Sequence, residues 1–326
     1  MTLDNKTVFL AGAAGMTGSS IVRCVLDRHP STRIVGSCFK TEPSTRSDRV
    51  RYVQGDLRSL EDCRRMARGC DVAIMAAAYA GGAGYTTTSP FEHTRENLLM
   101  NRALFEAFHL EGVKRIVFIG SSAVYQAFEG SIREDQLDLN QDPCAAYFGF
   151  GWAMRFLEKM GQYLHEQYGT EVVLVRAANI FGPRDKFDPV RSNFVPATIR
   201  KAVDRMDPFE VWGSPDVVRD VIFCDDFAAA VVTLADADRI GFDAFNLGSG
   251  VRTTVGDVVA WTLKAAGHRP AGGIRYRQDK PTTIRFRALD CTKVQKAIGW
   301  RPEHSIEQGI QETVRWWTEN KDTWTR

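Results

Sequence analysis

The sequence predicts an α/β fold with a doubly wound parallel sheet, and three observations lead to this prediction. Short apolar runs of the kind that buried parallel strands need recur along the first half of the chain. A helix-length segment separates each run from the next, as in a sheet built from βα units. A glycine-rich turn joins the first run to the helix that follows it. The predicted strands are residues 7–11, 33–37, 51–54, 71–75, 115–119 and 171–175.

Length and composition limit the class of protein. The 326 residues are enough for one large domain or two closely packed ones. The net charge of +2 gives no electrostatic reason to bind nucleic acid or an anionic membrane surface. No apolar run reaches the roughly 20 residues that span a bilayer, and the first residues lack the layout of a signal peptide. We therefore expect a cytoplasmic protein with no nucleic-acid or membrane partner.

The cysteines and histidines predict neither a disulfide framework nor a metal site. The seven cysteines are odd in number, scattered and without CxxC spacing, so we expect reduced thiols. The six histidines form no HxH or HxxxH pair, so we expect no bound metal.

The glycine turn after the first strand has the pattern of a dinucleotide-binding unit. The strand runs directly into Gly12, Gly15 and Gly18, and a helix of amphipathic spacing continues to residues 29–30. Glycines let the backbone approach a pyrophosphate, and the helix N-terminus offers free N–H groups. A tight turn also favours glycine without any ligand. Together, strand, turn and helix predict a Rossmann fold whose glycines, with Met16, bind a dinucleotide.

Two further strand ends supply candidate cofactor contacts. Asp56 follows the strand at residues 51–54, where its carboxylate could accept a hydrogen bond from an adenine amino group. Alternatively Asp56 caps the helix that begins near Ser59, and both roles can hold. The other candidates, beside Asp56 and at the end of the strand at residues 71–75, are Leu57, Ala76, Ala77 and Ala78.

One feature favours NADP over NAD as the cofactor. The second strand ends at residues 38–40 without the acid that usually binds the ribose 2′-hydroxyl of NAD. Lys40 and Arg46 lie where a 2′-phosphate could be met, although Glu42 lies between them. We expect NADP or NAD, with a preference for NADP.

The motifs that follow the glycine turn have the order and spacing of one enzyme family. The chain resembles the extended short-chain dehydrogenase/reductases, the NAD-dependent epimerase/dehydratase family, and most of all its GDP-L-fucose synthase and GDP-mannose 3,5-epimerase members. The resemblance implies a NAD(P)-dependent enzyme that modifies a nucleotide-sugar. The matching segments are residues 12–18, 76–85, 96–98, 120–125, 179–183, 192–196, 212–220, 280–281 and 299–300.

The resemblance also implies two domains and a homodimer. The Rossmann domain would take residues 1–177 and 221–252. A smaller C-terminal substrate domain would take residues 178–220 and 253–326. Two copies would pair through a four-helix bundle. The helices of that bundle are expected near residues 91–110 and 151–167.

Substrate-binding roles follow from the same resemblance. Arg219 would clamp the diphosphate, because a guanidinium fork matches phosphate oxygens, and Arg285 or Arg287 would reach the same phosphates. The alternative is that these arginines are only solvated. Trp212 would contact the base or ribose, and the loop around Gly82 would lie under the hexose. The nucleotide pocket would be lined by Asn179, Asn193 and Val195.

The catalytic positions depart from the family pattern. Family members carry Tyr-x-x-x-Lys, in which the phenol exchanges a proton with a sugar hydroxyl and the ammonium lowers the pKa of the phenol. When Glu158 and Lys159 are matched to the family's acidic-basic step, the tyrosine position falls on Phe150 and the lysine position on Met154. Phe150 has no proton to move, and Met154 has no charge.

A second register keeps a phenol but still loses the ammonium. It places Tyr147 at the tyrosine position and Gly151 at the lysine position, and it inserts three residues in a helix, so the first register is preferred. Ser121 matches the family serine or threonine that binds the sugar. The candidate catalytic residues are therefore Ser121, Ser122, Tyr147, Phe150 and Met154.

Two hypotheses of different class remain open. The first is an enzyme with altered proton-transfer groups, and the resemblance favours it because relatives with a changed dyad can remain active. The second is a catalytically silent protein or partner subunit that binds NAD(P) and a nucleotide-sugar. In the first hypothesis, the proton donors to consider are Tyr85, Ser121, Ser122, Tyr147 and Lys159.

Overall fold

A seven-stranded parallel sheet lies at the centre of the structure, a computed structural model that describes residues 2–238, 240–280, 284 and 286–324. The strands are β1 Thr7–Ala11, β2 Arg33–Cys38, β3 Val50–Gln54, β4 Val72–Met75, β5 Arg115–Ser121, β6 Ser131–Ile132, β7 Glu171–Ala177, β8 Asn179–Phe181, β9 Phe209–Trp212, β10 Val218–Arg219, β11 Val221–Phe223, β12 Phe242–Leu247, β13 Thr253–Thr254, β14 Ile274–Arg277 and β15 Phe286–Leu289. The helices are α1 Met16–Arg28, α2 Leu60–Ala67, α3 Ala83–Thr88, α4 Pro90–Leu110, α5 Phe148–Tyr168, α6 Phe194–Val203, α7 Cys224–Asp236, α8 Val255–Ala265, α9 Thr292–Ile298 and α10 Ile306–Asn320.

The central sheet has the doubly wound order β3-β2-β1-β4-β5-β7-β12, and all its neighbouring strands are parallel. The direction of strand succession reverses between β1 and β4, which is where open α/β sheets bind ligands at their carboxyl ends. The fold predicted from the sequence is therefore confirmed. The predicted strands lie within two residues of the observed ones, and β5 and β7 each continue two residues further.

Burial on both faces explains the sequence pattern of this sheet. β4 is buried at every position, and β5 and β7 are buried along most of their length. Such strands are continuous apolar runs because helices cover both faces. α1 packs against α7, whereas α4 packs against α2 and α5. Right-handed crossovers place these two groups on opposite sides of the sheet.

The remaining elements form a smaller part with its own buried clusters. α6, α8 and α10 pack together, and β10 lies in a four-stranded sheet between β13 and β15. The strand β11 pairs differently from what the predicted domain boundary implies. This strand was expected to return to the Rossmann domain, but it pairs with β8, and Phe223 is buried in the core of the smaller part. Ile222 of the same strand is buried in the main core, and the chain continues into α7 and β12, so the division into two domains stays a prediction.

Asp220 anchors the junction between β10 and β11. Its buried carboxylate accepts hydrogen bonds from the backbone N–H of Ser249 at 2.9 Å and of Leu289 at 3.2 Å. Burial raises the pKa of Asp220 to about 6, although these hydrogen bonds act in the opposite direction. Asp220 thereby ties the neighbouring Arg219 to the end of β12 and to β15. Among the described residues, no helix is long and apolar enough to cross a membrane.

Candidate functional site

The glycine turn packs closely against the end of β4. Gly12 has φ +75°, and a Cβ there would lie 2.8 Å from the Cα of Ala77. A Cβ on Gly18 would lie 2.1 Å from the carbonyl oxygen of Gly12. Gly15 is the N-cap of α1, and no side chain accepts a hydrogen bond at this cap. The turn therefore requires glycine for its shape, and it leaves a helix N-terminus that suits a pyrophosphate.

Ser37 holds this turn in place, and the sequence reasoning missed it. Its hydroxyl accepts a hydrogen bond from the backbone N–H of Gly12 at 2.8 Å, and its carbonyl accepts one from Ala13 at 3.1 Å. A small polar residue within the apolar run of β2 was the only available signal.

Asp56 is less free than its predicted role requires. The Arg58 guanidinium donates to both oxygens of the Asp56 carboxylate, and this contact lowers the pKa of Asp56. An adenine amino group would have to share this carboxylate with Arg58. The alternative role as a helix cap is wrong, because Ser59 is the N-cap of α2 and accepts from the backbone of Asp62 at 3.2 Å.

The other predicted cofactor residues surround the same edge of the sheet. Ala76 and Ala77 are half-buried and Ala78 is exposed, so this edge carries only methyl groups. Lys40 is exposed just beyond β2. Leu57 packs against the main core and Met16 against the core of the smaller part. Met16 and Leu57 thus have structural contacts in addition to any contact with a cofactor.

Phe150 and Met154 occupy different surroundings on α5. Phe150 lies in the first turn, with its ring centroid 4.4 Å from that of His93 on α4. Met154 is 3% exposed and belongs to the main core. A cavity of about 280 Å³ opens beside Phe150 and is lined in part by His93, Thr94 and Tyr147. The described lining residues include the His93 imidazole and the hydroxyl-bearing side chains of Thr94 and Tyr147, but no acid and no lysine.

Gly151 makes the second register less suitable. A Cβ at this position would lie 2.5 Å from the carbonyl oxygen of Ala123 and 2.5 Å from the Cβ of Pro143. The residue that follows Phe150 must therefore be very small. A lysine position four residues after Tyr147 would fall on this closed contact, whereas position 154 lies one turn further along α5.

Tyr147 contacts an arginine pair. The Arg287 guanidinium lies 4.6 Å from the centroid of the Tyr147 ring, and Arg287 faces Arg219 across the parallel strands β10 and β15. Arg219 donates to the carbonyl oxygen of Val218 at 2.9 Å and also to that of Ile284. Burial lowers the pKa of Arg219 to about 10, and the nearby positive charge of Arg287 acts in the same direction.

The arginine pair has an excess of positive charge. Within the part of the chain that the structure describes, no carboxylate lies within ion-pair distance of Arg219 or Arg287. Two largely buried guanidinium groups without a carboxylate are suited to an anion such as a diphosphate. Arg285, the other predicted phosphate ligand, lies outside the described residues.

Three further substrate candidates lie in or beside the loop that follows β4. A Cβ on Gly82 would lie 2.1 Å from the carbonyl oxygen of Ser192, so the loop passes directly beside Asn193. A Cβ on Gly84 would lie 3.5 Å from Trp212, whose indole is exposed. Asn193 is the N-cap of α6 and makes no side-chain cap bond. The structure thus brings Gly82, Asn193 and Trp212 to one region.

Two of the predicted nucleotide contacts have structural partners. The side chain of Val195 is buried in the core of the smaller part, so only its backbone could meet a nucleotide. The Asn179 amide donates to the carbonyl oxygen of Asp220 at 3.3 Å.

Ser121 is the last residue of β5 and Ser122 follows it, whereas Lys159 lies on the exposed side of α5. Ser121 accepts a hydrogen bond from the backbone N–H of Ala123 at 3.1 Å, and Ser122 is buried. Lys159 is exposed and donates to Gln162 at 2.8 Å on the same helix. Lys159 therefore does not join the groups that line the cavity.

Sequence reasoning missed a polar cluster beside the loop at residues 79–85. The Glu92 carboxylate on α4 accepts hydrogen bonds from the hydroxyls of Tyr85 and Tyr79. The Lys186 ammonium donates to the carbonyl oxygen of Ala80 at 2.8 Å. Tyrosines in a glycine-rich loop were the visible signal, but nothing in the sequence spacing linked them to Glu92. Across the described residues, no three His, Cys, Asp or Glu side chains converge as metal ligands.

Comparison with known proteins identifies relatives over nearly the whole chain. The model of the NAD dependent epimerase/dehydratase family matches residues 8–248. A GDP-L-fucose synthase from Sinorhizobium fredii is 27% identical, over 98% of this chain and 97% of that protein. A dTDP-4-dehydro-6-deoxy-D-allose reductase from Streptomyces bikiniensis is also 27% identical, over 97% of this chain and 98% of that protein.

Solved structures show the same fold. A UDP-glucose 4-epimerase from Bifidobacterium longum in complex with NAD+ and UDP has a TM-score of 0.82 at 24% identity, covering 97% of this chain and 99% of that one. A dTDP-glucose 4,6-dehydratase from Streptomyces venezuelae with NAD bound has a TM-score of 0.83 at 22% identity, covering 97% and 98%. The family match and the fold confirm the resemblance inferred from the sequence: the chain belongs to the NAD dependent epimerase/dehydratase family.

Proposed function

We propose that this protein is a NAD(P)-dependent enzyme that modifies a nucleotide-sugar by epimerisation, dehydration or reduction. The observation that carries the proposal is that one family member has two separate groups of residues suited to bind an anion. One is the glycine turn at the N-terminus of α1, and the other is the pair Arg219 and Arg287. A dinucleotide and a nucleotide-sugar each carry a diphosphate, so two sites are what this chemistry needs.

The glycine turn fits the nicotinamide dinucleotide. A bound dinucleotide would supply hydride transfer to or from a sugar carbon. The backbone N–H groups after Gly15 would hold its pyrophosphate, and the methyl group of Ala77 would leave room beside the turn. Lys40, exposed beyond β2 without an acidic neighbour in the next position, supports NADP over NAD.

The arginine pair and Trp212 would hold the nucleotide-sugar. Arg219 and Arg287 provide charge and hydrogen bonds for the diphosphate, and the exposed Trp212 indole provides a face for the base. The chain runs from Ala77, which lies against the glycine turn, to Gly84, which lies beside Trp212. The hexose would therefore lie near residues 79–85, between the two bound diphosphates.

A reciprocal binding experiment tests the two sites. In isothermal titration calorimetry, Gly15→Asp should lose NAD and NADP binding, because a carboxylate would occupy and repel the pyrophosphate. The fold should remain, since aspartate is a favoured N-cap residue. Arg219→Gln should instead lose the nucleotide-sugar while keeping the dinucleotide. Each variant is the control for the other, and a wild type that binds neither ligand class contradicts the proposal.

A second candidate function is a catalytically silent binding protein or partner subunit. The observation in its favour is that the preferred register puts Phe150 and Met154, which carry neither a proton to move nor a charge, at the tyrosine and lysine positions. A turnover assay distinguishes the enzyme from the silent protein. Wild-type protein that binds both ligands but turns over none of a panel of GDP-, UDP- and dTDP-sugars supports the silent protein.

The protein is also proposed to be a homodimer that pairs through α4 and α5. Phe148, Trp152 and Phe156 are exposed at successive turns of α5, and Phe91 and Leu99 are exposed on α4. Residues four apart share one face of a helix, so α5 carries an apolar stripe. An exposed apolar stripe on a helix pair is a typical protein–protein contact.

A further inference from the structure

A tyrosine pair and a carboxylate form a connected cluster beside the loop that follows β4. The Glu92 carboxylate accepts from the Tyr85 hydroxyl at 2.7 Å through one oxygen and from the Tyr79 hydroxyl at 3.0 Å through the other. The two phenol oxygens are 3.4 Å apart. The carboxylate therefore has one phenol on each of its oxygens.

The backbone places Tyr79 between the two proposed ligand sites. Ala77, two residues earlier, lies against Gly12 of the glycine turn. Asn97 fixes Tyr79 itself, because its amide accepts from the Tyr79 N–H at 3.0 Å and donates to the Tyr79 carbonyl at 3.0 Å. Five residues later, Gly84 lies beside Trp212. Tyr79 thus lies on the stretch of chain that runs from the dinucleotide site to the nucleotide-sugar site.

Burial separates the roles of the two phenols. Tyr85 is 6% exposed, and its ring lies 5.1 Å from the Arg191 guanidinium. Tyr79 is only half-buried. Tyr79 is therefore the phenol that a sugar could reach, whereas Tyr85 occupies the second oxygen of Glu92 and orients the carboxylate.

The charges around Glu92 keep it ionised. The hydrogen bonds from Tyr85 and Tyr79 lower the pKa of Glu92, and Arg191 and Arg95 act in the same direction. Burial and the contacts with Tyr79 and Glu92 raise the pKa of Tyr85. The cluster therefore holds a carboxylate whose pKa is lowered beside a Tyr85 phenol whose pKa is raised. This is the opposite of a Tyr-x-x-x-Lys dyad, in which an ammonium favours the phenolate.

We infer that Tyr79 and Glu92 together perform the proton transfer that Phe150 and Met154 cannot. In the oxidative direction, the Tyr79 oxygen accepts the proton of the sugar hydroxyl while the Tyr79 proton passes to Glu92. The substrate O–H bond breaks, Tyr79 remains a neutral phenol, and Glu92 becomes a carboxylic acid that releases its proton to solvent. The hydride on the same carbon leaves to the oxidised nicotinamide of NAD(P)+, and reduction is the reverse.

A carboxylate acceptor explains why the lysine can be absent. In a dyad the ammonium is needed because the phenol alone must carry the negative charge. In this pair the negative charge is on Glu92 before the transfer, so no phenolate has to form. Tyr79 is the catalytic residue, and Glu92 is a positioning residue that acts through it. The inference rests on the proposed function.

Turnover measurements with matched tyrosine variants test the pair. Tyr79→Phe should lower kcat by about 10²–10⁴-fold, the usual cost of losing a positioned acid or base, with both ligands still bound. Tyr85→Phe keeps the ring but removes only one hydrogen bond to Glu92, so a loss of about tenfold or less is expected. Tyr168→Phe, at the exposed C-terminal end of α5, should match the wild type.

Two measurements test the role of Glu92: the pH dependence of the oxidation rate and a titration of the tyrosines in the ligand-free protein. Oxidation by the wild type should persist as the pH falls, until Glu92 protonates below its usual range. In Glu92→Gln the profile should instead rise only with increasing pH, because the phenol must then ionise. Ultraviolet titration of tyrosinate in the free protein should show a tyrosine whose pKa falls in Glu92→Gln, since a negative neighbour has been removed.

The outcomes separate this inference from the proposed function. Absent ligand binding by the wild type is a failure of the proposed function. Intact binding with equal kcat values for Tyr79→Phe and wild type overturns the pair, as does a collapse of kcat in Tyr147→Phe alone. An unchanged tyrosinate titration in Glu92→Gln overturns the role of the carboxylate.

Discussion

At the scale of single residues, Phe150 and Met154 differ in how readily they could be changed back. Phe150 lines a cavity together with His93 and Thr94, so there is space beside its ring. Met154 is enclosed by the main core. A lysine at this position must extend its ammonium out of the core, because an enclosed ammonium loses solvation and its pKa falls.

Restoration of the dyad should therefore need both substitutions. Phe150→Tyr with Met154→Lys should raise turnover of a bound nucleotide-hexose by about 10²-fold or more, most visibly in the Tyr79→Phe background. Met154→Lys alone should lower the unfolding temperature without a gain in rate, because the ammonium has no phenol to act on. Initial rates and thermal unfolding check both expectations. A folded double variant without any gain would show that positions 150 and 154 are not the dyad positions.

At the scale of the helices, the exposed faces of α4 and α5 have a clear pattern. Phe148 and Phe156 are 53% and 55% exposed, on a helix whose opposite face is buried against the sheet. Gly149 and Thr94 meet where the two helices pack, with a Cβ on Gly149 3.4 Å from the Thr94 hydroxyl. This contact and the ring contact of Phe150 with His93 lie between α4 and α5, whereas Phe148 and Phe156 are largely exposed. The outward face is suited to a second copy of the pair.

A charge on the outward face should separate the proposed dimer. Phe156→Glu should give a monomer in light scattering at micromolar concentration, because burying an unpaired carboxylate in an apolar interface is costly. Phe39→Glu is the matched control, since Phe39 is similarly exposed but lies beyond β2. A wild type that is already monomeric contradicts the dimer.

At the scale of the whole molecule, Asp226 and His304 join the two parts of the structure. Asp226 is buried near the start of α7, and its carboxylate accepts from the backbone of Glu303 at 3.0 Å and of His304 at 3.1 Å. The His304 ring nitrogen also lies 3.0 Å from this carboxylate. Burial alone would lower the pKa of His304, but Asp226, Glu312 and Asp225 raise it above its ordinary value.

The raised pKa of His304 makes stability depend on pH. The folded state holds this proton more tightly than the unfolded state, so the contribution is fully present below the ordinary value of 6.5. It should be lost as the pH rises from there through the folded pKa. Urea unfolding across this window should show a falling free energy of unfolding in the wild type. His304→Gln should have a flatter dependence, and parallel curves would contradict the prediction.

The sequence alone determined the central sheet and the glycine turn of this protein. Strands that are buried on both faces have short, continuous apolar sequences. A glycine is required wherever the backbone has no room for a Cβ, as at Gly12. Both signals lie within a few consecutive residues. The prediction that the dyad is lost came from the same kind of signal, because Phe150 and Met154 lie four residues apart on one helix.

Only the tertiary structure decided how polar side chains from distant segments meet. The pairing of β11 with β8, the engagement of Asp56 by Arg58, and the two phenols on Glu92 all depend on the packing of separate elements. Arg219 and Arg287 are 68 residues apart in the chain, yet they are neighbours because β10 pairs with β15. No local pattern encodes such contacts, since their energy comes from burial and charge between segments that meet only when the chain has folded.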